Sequence, residues 1–324
     1  MTSPFNPDGT QYAWDSTSLG WAQDCLRKYQ YLMIEGWEPM TKSVHLLFGG
    51  WYAMALEHYH KHRAHGMSED DALCEVVHEA LIATCEYQVG HENGEPTFIY
   101  GSELQPDHTV LGYRPWESNH AAKTRENLIR SIVWYVDQFG DDDPLTTVTL
   151  ASGEAAVEYS FRMELSDDLI YCGHIDRLVE YNGDVYVQDQ KTTGSTITPR
   201  YFAQFDPNSQ MSGYTLAGQI IYSAPVKGVI IDAAQIAVGF TRFERGFTFR
   251  TEAKLEEWLE SAKHHIRIAQ EATRQGFFPM NPSSCDKYGG CMFRDICSKS
   301  PEVRPQFLKG HFTKRKQWNP LESR

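Results

Sequence analysis

Long apolar runs are missing from this 324-residue sequence: none approaches the roughly 20 residues that a membrane-spanning helix needs. The N-terminal residues also lack the basic and apolar regions of a signal peptide. Basic residues are few, with 30 lysines and arginines against 43 aspartates and glutamates and a net charge of −13. We therefore expect a soluble, cytoplasmic protein with no membrane partner, in which any nucleic acid must bind a local basic patch.

Cysteine is scarce too: the seven cysteines are an odd number, in a chain long enough to bury a core without disulfides. In a reducing compartment their expected uses are burial, metal ligation or catalysis. Disorder and low complexity are excluded, because 41% of the residues are hydrophobic and 23% are charged. The length of the chain fits one large domain or two small ones.

Two regions of the sequence differ in the spacing of their apolar residues. Up to about Phe139 the spacing is mostly helical, and after Asp141 it alternates with a period of two, which predicts strands. Asn182-Gly183 predicts a two-residue hairpin turn. Together these patterns indicate an α/β fold. Strands are predicted over 145–150, 155–164, 169–181, 184–191, 228–243 and 246–250, and helices include 118–139 and 252–275.

Acidic and basic side chains are concentrated at the end of the second hairpin strand. Strand side chains alternate between faces, so Asp189 and Lys191 share one face, and the hairpin can bring Asp176 beside them. Two carboxylates next to one amine suit a hard cation such as Mg²⁺, bound between carboxylates and a phosphate. This arrangement predicts phosphodiester hydrolysis. The competing interpretation is an exposed Asp-x-Lys ion pair without a function.

These residues resemble the motifs of a known family. Gly173-His174-Ile175-Asp176 and Asp189-Gln190-Lys191-Thr192 are similar to the second and third motifs of the PD-(D/E)XK nuclease superfamily, in its RecB-like branch of CRISPR-associated and phage recombination nucleases. The resemblance covers most of the chain. It implies a restriction-endonuclease-like core, with a central mixed sheet flanked by helices. It also implies that Asp176 and Asp189 bind Mg²⁺ or Mn²⁺ and that Lys191 is catalytic.

The activity implied by this resemblance is a metal-dependent deoxyribonuclease, and we expect an exonuclease. Its partner would be DNA, as single strands or duplex ends, in recombination, repair or phage DNA processing. Gln210 and Tyr214 resemble the family's Gln-x-x-x-Tyr motif, which lies against DNA and the active site, and their spacing of four places them on one helix face. A surface glutamine beside a core tyrosine is the alternative. Glu158 resembles a further acidic position of the family.

The first motif of the family, Gly-x-x-x-His-x-x-x-Glu, is matched only in part. Gly49 and Glu57 correspond to its ends, but Ala53 stands where the metal-binding histidine belongs. Glu57 is the expected metal ligand on this helix. His60, on roughly the same helix face, and His174, on the strand face of the second-motif aspartate, are available substitutes.

Cys285, Cys291 and Cys297 are separated by five residues in each gap. Three clustered thiolates need a fourth to close an all-cysteine site for an iron-sulfur cluster or zinc, and Cys25 is the best candidate. The segment beginning Cys25-Leu26 resembles the stretch by which RecB-like nucleases complete a [4Fe-4S] cluster, although Leu26 replaces their usual proline and the first C-terminal gap is longer. This resemblance implies a clasp between the chain ends and favours iron-sulfur over zinc. Burial without a metal fits the remaining cysteines, which are Cys74, Cys85 and Cys172.

The predicted organisation is a polar arm over 1–15, a nuclease domain with the four-cysteine site over 16–297, and a tail over 298–324 with a net charge of +5. The missing histidine at Ala53 leaves a second function open. This is a catalytically silent DNA-binding or scaffolding protein that keeps the nuclease fold and the cluster. The intact carboxylates and lysine argue against it. A zinc-ribbon adaptor without nuclease function would leave the hairpin motifs unexplained.

Overall fold

In the computed structural model, which describes residues 3–92, 95–315 and 318–322, a central sheet separates two layers of helices. The strands are β1 Ala13–Trp14, β2 Trp37–Pro39, β3 Cys85–Glu92, β4 Glu95–Tyr100, β5 Gly112–Pro115, β6 Thr146–Thr147, β7 Val157–Ser166, β8 Leu169–Tyr181, β9 Asp184–Thr193, β10 Gly228–Ile236, β11 Thr241–Phe249 and β12 Phe312–Lys314. The α-helices are α1 Ser16–Asp24, α2 Leu26–Tyr29, α3 Val44–Ala64, α4 Glu69–Ala83, α5 Arg125–Phe139, α6 Pro199–Ala203, α7 Ser209–Tyr222, α8 Glu252–Gln275, α9 Arg294–Cys297 and α10 Arg304–His311.

The central sheet has the strand order β1-β8-β9-β10-β11, and β6 and β7 also pair with β8. β1 runs parallel to β8 and β9 runs parallel to β10, whereas the β8–β9 and β10–β11 pairs are antiparallel. The predicted mixed sheet flanked by helices is therefore confirmed. All nine residues of β10 are buried, as expected for a strand that is covered on both faces.

The hairpin between β8 and β9 forms where Asn182-Gly183 predicts it. Tyr181 pairs with Asp184, so the two residues between them make the whole turn. Asn182 has φ 52° and Gly183 has φ 82°, the left-handed conformations that a type I′ turn needs and that these residue types tolerate. This turn sets the register of the two strands that carry the candidate site.

Side chains of the sheet alternate between two apolar cores. Val229 and Ile231 of β10 point to the layer of α1, α7 and α8, where they join Trp258 in one cluster. Ala234 and Ile236 point to the layer of α3, α4 and α5 and belong to a second cluster. Because neighbouring strand residues face opposite ways, one strand supports both layers.

Three parts of the chain differ from the sequence prediction. Residues 85–115, in the half predicted to be mostly helical, form a separate antiparallel sheet in the order β4-β3-β5. The helix predicted over 118–139 begins only at α5, because the Thr124 side chain caps it by accepting a hydrogen bond from Asn127 N–H. The strand predicted over 228–243 is divided by a turn in which Ala237 N–H donates to Phe240 O.

Both ends of the chain take part in the packed structure. Within the predicted polar arm, Ala13 is fully buried and pairs with β8 in the central sheet. Within the predicted tail, Phe312 pairs with β2 and is buried in an apolar cluster that includes Leu32 and Phe293. In the part of the chain that the structure describes, no helix is long and apolar enough to cross a membrane.

Candidate active site

The predicted carboxylates and lysine lie where the pairing of β8 with β9 ends. Asp176 Oδ2 accepts a hydrogen bond from Gln190 N–H at 2.8 Å, which holds the side chain of β8 against the backbone of β9. Asp189 is only 2% exposed and forms an ion pair with Lys191. The structure therefore brings Asp176, Asp189 and Lys191 together.

Burial and the neighbouring charge of Asp189 raise the pKa of Asp176 to about 7, while Lys191 and the Gln190 N–H act in the opposite direction. Two carboxylates side by side, here one buried and one half-buried, repel each other when both are ionised. A divalent cation would relieve this repulsion, and Mg²⁺ binds proteins through one or two carboxylates, with water and phosphate as its other ligands. The donor set of Asp176 and Asp189 thus fits Mg²⁺ or Mn²⁺.

A third carboxylate, Glu158 of β7, belongs to the same electrostatic group. Its neighbours on either side pair with the neighbours of Asp176, so the two positions face each other across β7 and β8. The charge of Glu158 contributes to the raised pKa of Asp176. Glu158 has φ 45°, a left-handed conformation that is uncommon outside glycine and concentrated at functional positions.

Gln210 and Tyr214 of α7 share a helix face, as their spacing predicts. Gln210 Nε2 donates a hydrogen bond to Tyr214 Oη at 3.1 Å. Burial raises the pKa of Tyr214 well above its usual value, and the charges of Asp189 and Asp176 raise it further. The tyrosine hydroxyl is therefore within electrostatic reach of both carboxylates.

Tyr201 also lies within electrostatic reach of Asp189, although no sequence motif indicates it. Burial raises its pKa to about 12, with a contribution from Asp189. It belongs to α6, whose N-cap residue Thr198 accepts a hydrogen bond from Tyr201 N–H. Thr198-Pro199, a capping residue followed by proline at the first helical position, is the sequence signal that indicates this helix.

Helix α3 passes close to the end of β9 at Gly49, where an added Cβ atom would lie 3.3 Å from Thr192 Oγ1. Ala53 follows one turn later and offers no metal ligand in place of the family's histidine. Glu57, the predicted ligand of this helix, forms an ion pair with Lys61. The structure thus pairs Glu57 with a neighbouring lysine on its own helix.

The two histidines considered as substitutes have other partners. His60 is buried, and Arg177 Nη1 lies 2.8 Å from its Nε2 atom. Burial lowers the pKa of His60 well below its usual value, and the charges of Arg177 and Arg245 lower it further, so the ring is neutral. His174 Nδ1 lies 2.9 Å from Ser160 Oγ.

A buried polar network occupies the opposite face of β9. Gln188 Nε2 donates to Asp232 Oδ2 at 2.5 Å, and the Tyr135 hydroxyl donates to the same oxygen at 2.8 Å. Arg245 joins Asp232 to Asp143, with N–O distances of 3.2 and 2.6 Å. Gln188 therefore points away from the carboxylate pair, as strand alternation predicts, and its hydrogen bonds hold β9 in place from behind.

Cys25 and the three C-terminal cysteines lie in one region of the molecule. Cys25 Sγ accepts a hydrogen bond from Asn281 N–H at 3.3 Å, so the residue after α1 meets the segment after α8. Cys291 N–H donates to Cys285 O at 2.8 Å. Burial raises the pKa of Cys297 to about 11, with contributions from Cys25 and Cys291. The four half-buried thiols are therefore near enough to influence one another electrostatically.

The three other cysteines belong to α4, β3 and β8. Cys85 and Cys172 are buried as predicted, but Cys74 is exposed. The prediction for Cys74 is wrong because α4 packs through Ala72, Val76 and other residues of a different face. Among the described residues, no group of three or more His, Cys, Asp or Glu side chains is arranged to hold a metal ion.

Comparison with known proteins identifies a family for most of the chain. The model of the PD-(D/E)XK nuclease superfamily matches residues 16–298. Similar solved structures include a candidate exonuclease from Eubacterium rectale, with 11% identity, a TM-score of 0.46 and coverage of 91% of each chain. Another is a protein from Vibrio cholerae, with 14% identity, a TM-score of 0.21 and coverage of 78% of this chain and 61% of the other. No curated protein matches the sequence.

Proposed function

Because the chain belongs to the PD-(D/E)XK nuclease superfamily, we propose that it is a deoxyribonuclease that depends on Mg²⁺ or Mn²⁺. The observation that carries this proposal is the pair of half-buried Asp176 and buried Asp189, with Lys191 beside it. We also propose that it is an exonuclease of the RecB-like branch, acting on DNA ends in recombination, repair or phage DNA processing. The similarity of its hairpin motifs to that branch supports this finer assignment.

The carboxylates would hold the metal ion. Asp176 and Asp189 are the first two ligands in this proposal, and Glu158 or Glu57 is a further one. Glu158 is favoured by its position opposite Asp176, whereas Glu57 must first exchange its ion pair with Lys61. When bound, the ion supplies positive charge to the phosphate and lowers the pKa of a water molecule.

Lys191 and two residues of α7 would act on the substrate directly. Lys191 is partly exposed and is held at the carboxylate pair by its ion pair with Asp189. From there its ammonium group can orient the attacking water or stabilise negative charge that develops on the phosphate. Gln210 and Tyr214, joined by their hydrogen bond, would position the DNA strand beside the carboxylates.

A metal centre at the cysteines is the second part of the proposal. Cys25, Cys285, Cys291 and Cys297 would bind a [4Fe-4S] cluster, with zinc as the less favoured occupant. The contact of Cys25 with Asn281 supports this, because it already joins the two distant parts of the chain that supply the ligands. Soft thiolate ligands suit both iron-sulfur clusters and zinc.

Cleavage of labelled DNA tests the nuclease proposal. Single-stranded and duplex DNA, labelled at either end, and circular DNA are incubated with Mg²⁺ or Mn²⁺, or with a chelator as the control. Release of short products from linear DNA alone is the expected result, and it would also show the polarity. Absence of cleavage with either metal, in protein that binds DNA, would contradict the proposal.

The second candidate function is a catalytically silent DNA-binding protein. It is favoured by Ala53, which stands where the family has its histidine ligand. A silent protein would bind DNA with or without divalent cations and leave it intact. The same assay therefore separates an enzyme from a DNA-binding scaffold.

A further inference from the structure

Near the start of α3, the side-chain ammonium of a buried lysine makes no hydrogen bond to any of the described residues. Lys123 is only 2% exposed, and its Nζ atom has no hydrogen-bond partner among the residues that the structure describes. The ammonium group lies over the ring of Phe48, 4.4 Å from the ring centroid. Because burying an ammonium group is costly, burial lowers the pKa of Lys123 to about 8, and a bound anion would favour its charged form.

Two histidines complete a basic cluster around this lysine. The rings of His45 and His120 are 5.0 Å apart, edge to face. His120 Nδ1 accepts hydrogen bonds from the N–H groups of Ala122 and Lys123, so in the neutral ring the proton is on Nε2, which remains a donor. Burial lowers the pKa of His45, and the charges of His120 and Lys123 lower it further.

The N-terminus of α3 adds backbone donors to the cluster. His45 is in the first turn of this 21-residue helix, and the side chain of the N-cap residue Ser43 makes no capping hydrogen bond. The first turn also contains no acidic residue. The N–H groups of an uncapped first turn and the helix dipole both attract anions.

This basic cluster is at the same end of the central sheet as the candidate active site. Phe48, under the Lys123 ammonium, is adjacent to Gly49, whose Cβ position faces Thr192 at 3.3 Å. Thr192 directly follows Lys191 in β9, so the cluster is at the same end of the strand but on the opposite face from Lys191. On the other side of the cluster, Asn127 Nδ2 donates to Ala122 O, next to the lysine.

We propose that Lys123, His120, His45 and the N-terminus of α3 form a phosphate-binding subsite for a nucleic-acid strand whose scissile bond is at the carboxylate pair. The ligand chemistry is a phosphate oxyanion, from either an internal phosphodiester or a terminal 5′-phosphate. The choice of nucleic acid as its source rests on the proposed nuclease function. Binding of the anion would supply a counter-charge to the Lys123 ammonium group.

DNA binding by the full-length Asp189→Asn protein tests the subsite without cleavage. Lys123→Met removes the charge and keeps an unbranched apolar side chain against Phe48. The matched control is Lys227→Met, at the opposite end of the sheet, where the lysine pairs with Asp184. Fluorescence anisotropy gives Kd over a series of salt concentrations, for DNA with a 5′-phosphate and DNA with a 5′-hydroxyl.

Lys123→Met is expected to raise Kd about ten-fold and to reduce the slope of log K against log salt by about one, while Lys227→Met changes neither. An effect confined to DNA with a 5′-phosphate assigns the subsite to the strand end, and an equal effect on both DNAs assigns it to an internal phosphate. Equal Kd values and slopes for the two lysine variants would overturn the proposal. If Lys123→Met does not fold, the same Kd measurements on His120→Asn test the proposal. Asparagine keeps an acceptor for the backbone N–H groups but removes the Nε2 donor.

Inorganic phosphate distinguishes a failure of this subsite from a failure of the nuclease function. At equal ionic strength, phosphate should raise the Tm of the unmutated protein more than chloride does, and this difference should disappear in Lys123→Met. A protein that shows this difference but never cleaves DNA has the anion site without the proposed activity. A protein that cleaves DNA without this difference has the activity and lacks the subsite.

Discussion

Asp176 illustrates how the surroundings of one side chain set its chemistry. Burial and the charge of Asp189 make ionisation of Asp176 unfavourable, although Lys191 partly offsets both effects. A divalent cation would reverse this balance, because it favours the ionised form of both carboxylates. The protonation state of Asp176 and metal binding are therefore coupled.

Stability of the metal-free protein should depend on pH through Asp176. Its pKa is raised from 3.8 to about 7 in the folded protein, so the contribution of its protonated form is complete below pH 3.8 and is lost as pH rises through 7. Asp176→Asn should therefore raise the Tm of the metal-free protein more at pH 8 than at pH 5. Asp184→Asn, at the exposed hairpin, is the control. An equal Tm change at both pH values would contradict the assigned environment.

Lys191 should be needed for cleavage and dispensable for folding. Lys191→Ala is expected to reduce the cleavage rate by about 10²- to 10³-fold, because the ammonium stabilises charge that develops during the reaction. Circular dichroism and DNA binding should stay close to those of the unmutated protein. Lys227→Ala is the matched surface control, and a Lys191→Ala protein as active as this control would remove Lys191 from the mechanism.

Among the elements, the β8–β9 hairpin and α3 make different contributions to the candidate site. The hairpin brings Asp176 to Asp189 through local register alone. The contribution of α3 depends on packing: the helix approaches β9 at Gly49, but Glu57 pairs with Lys61. The first-motif helix is therefore near the site, and Glu57 as a metal ligand stays a prediction.

Titrating the cleavage activity with Mg²⁺ or Mn²⁺ tests which residue takes the place of the family's histidine ligand, where this chain has Ala53. Ala53→His should lower the Mg²⁺ or Mn²⁺ concentration that gives half-maximal cleavage. Glu158→Gln should raise that concentration by about ten-fold if Glu158 is the third ligand, and Glu57→Ala should raise it if Glu57 is. His62→Ala, on the same helix, is the control. Identical titrations for all four variants would show that neither α3 nor β7 contributes to the metal site.

At the scale of the whole molecule, the cysteine region joins segments that are far apart in sequence. Asp24 O accepts hydrogen bonds from Asn281 Nδ2 at 2.9 Å and from Ser284 Oγ at 2.8 Å, beside the contact of Cys25 with Asn281. The end of α1 and the segment after α8 therefore already hold each other. A cluster at this position would act as a clasp between them.

The proposed cluster predicts iron in protein that is purified without oxygen. Such protein should be brown and contain iron and acid-labile sulfide, whereas zinc would leave it colourless. Cys25→Ala should remove the iron and lower the Tm by about 5 °C or more, because the ligands come from both parts of the chain. Cys74→Ala is the control, since Cys74 is exposed and belongs to α4. Unchanged iron in Cys25→Ala, or iron lost in Cys74→Ala, would exclude Cys25 as the fourth ligand.

The sequence by itself determined the features that depend on neighbouring residues. Asn182-Gly183 specifies the hairpin turn, and alternation along β9 places Asp189 and Gln188 on opposite faces. The spacing of Gln210 and Tyr214 likewise places them in contact on α7. These results follow from local backbone geometry, which a short stretch of sequence specifies.

Only the tertiary structure decided the features that depend on residues distant in sequence. It placed Tyr201 near Asp189 and Glu158 near Asp176, and it buried the Lys123 ammonium group without a hydrogen-bond partner among the described residues. The burial of a side chain and the charges around it depend on every element that packs against it. A local sequence pattern therefore does not specify them. This is the physical reason why the sequence predicts the carboxylate pair, whereas only the folded chain shows the charged groups that surround it.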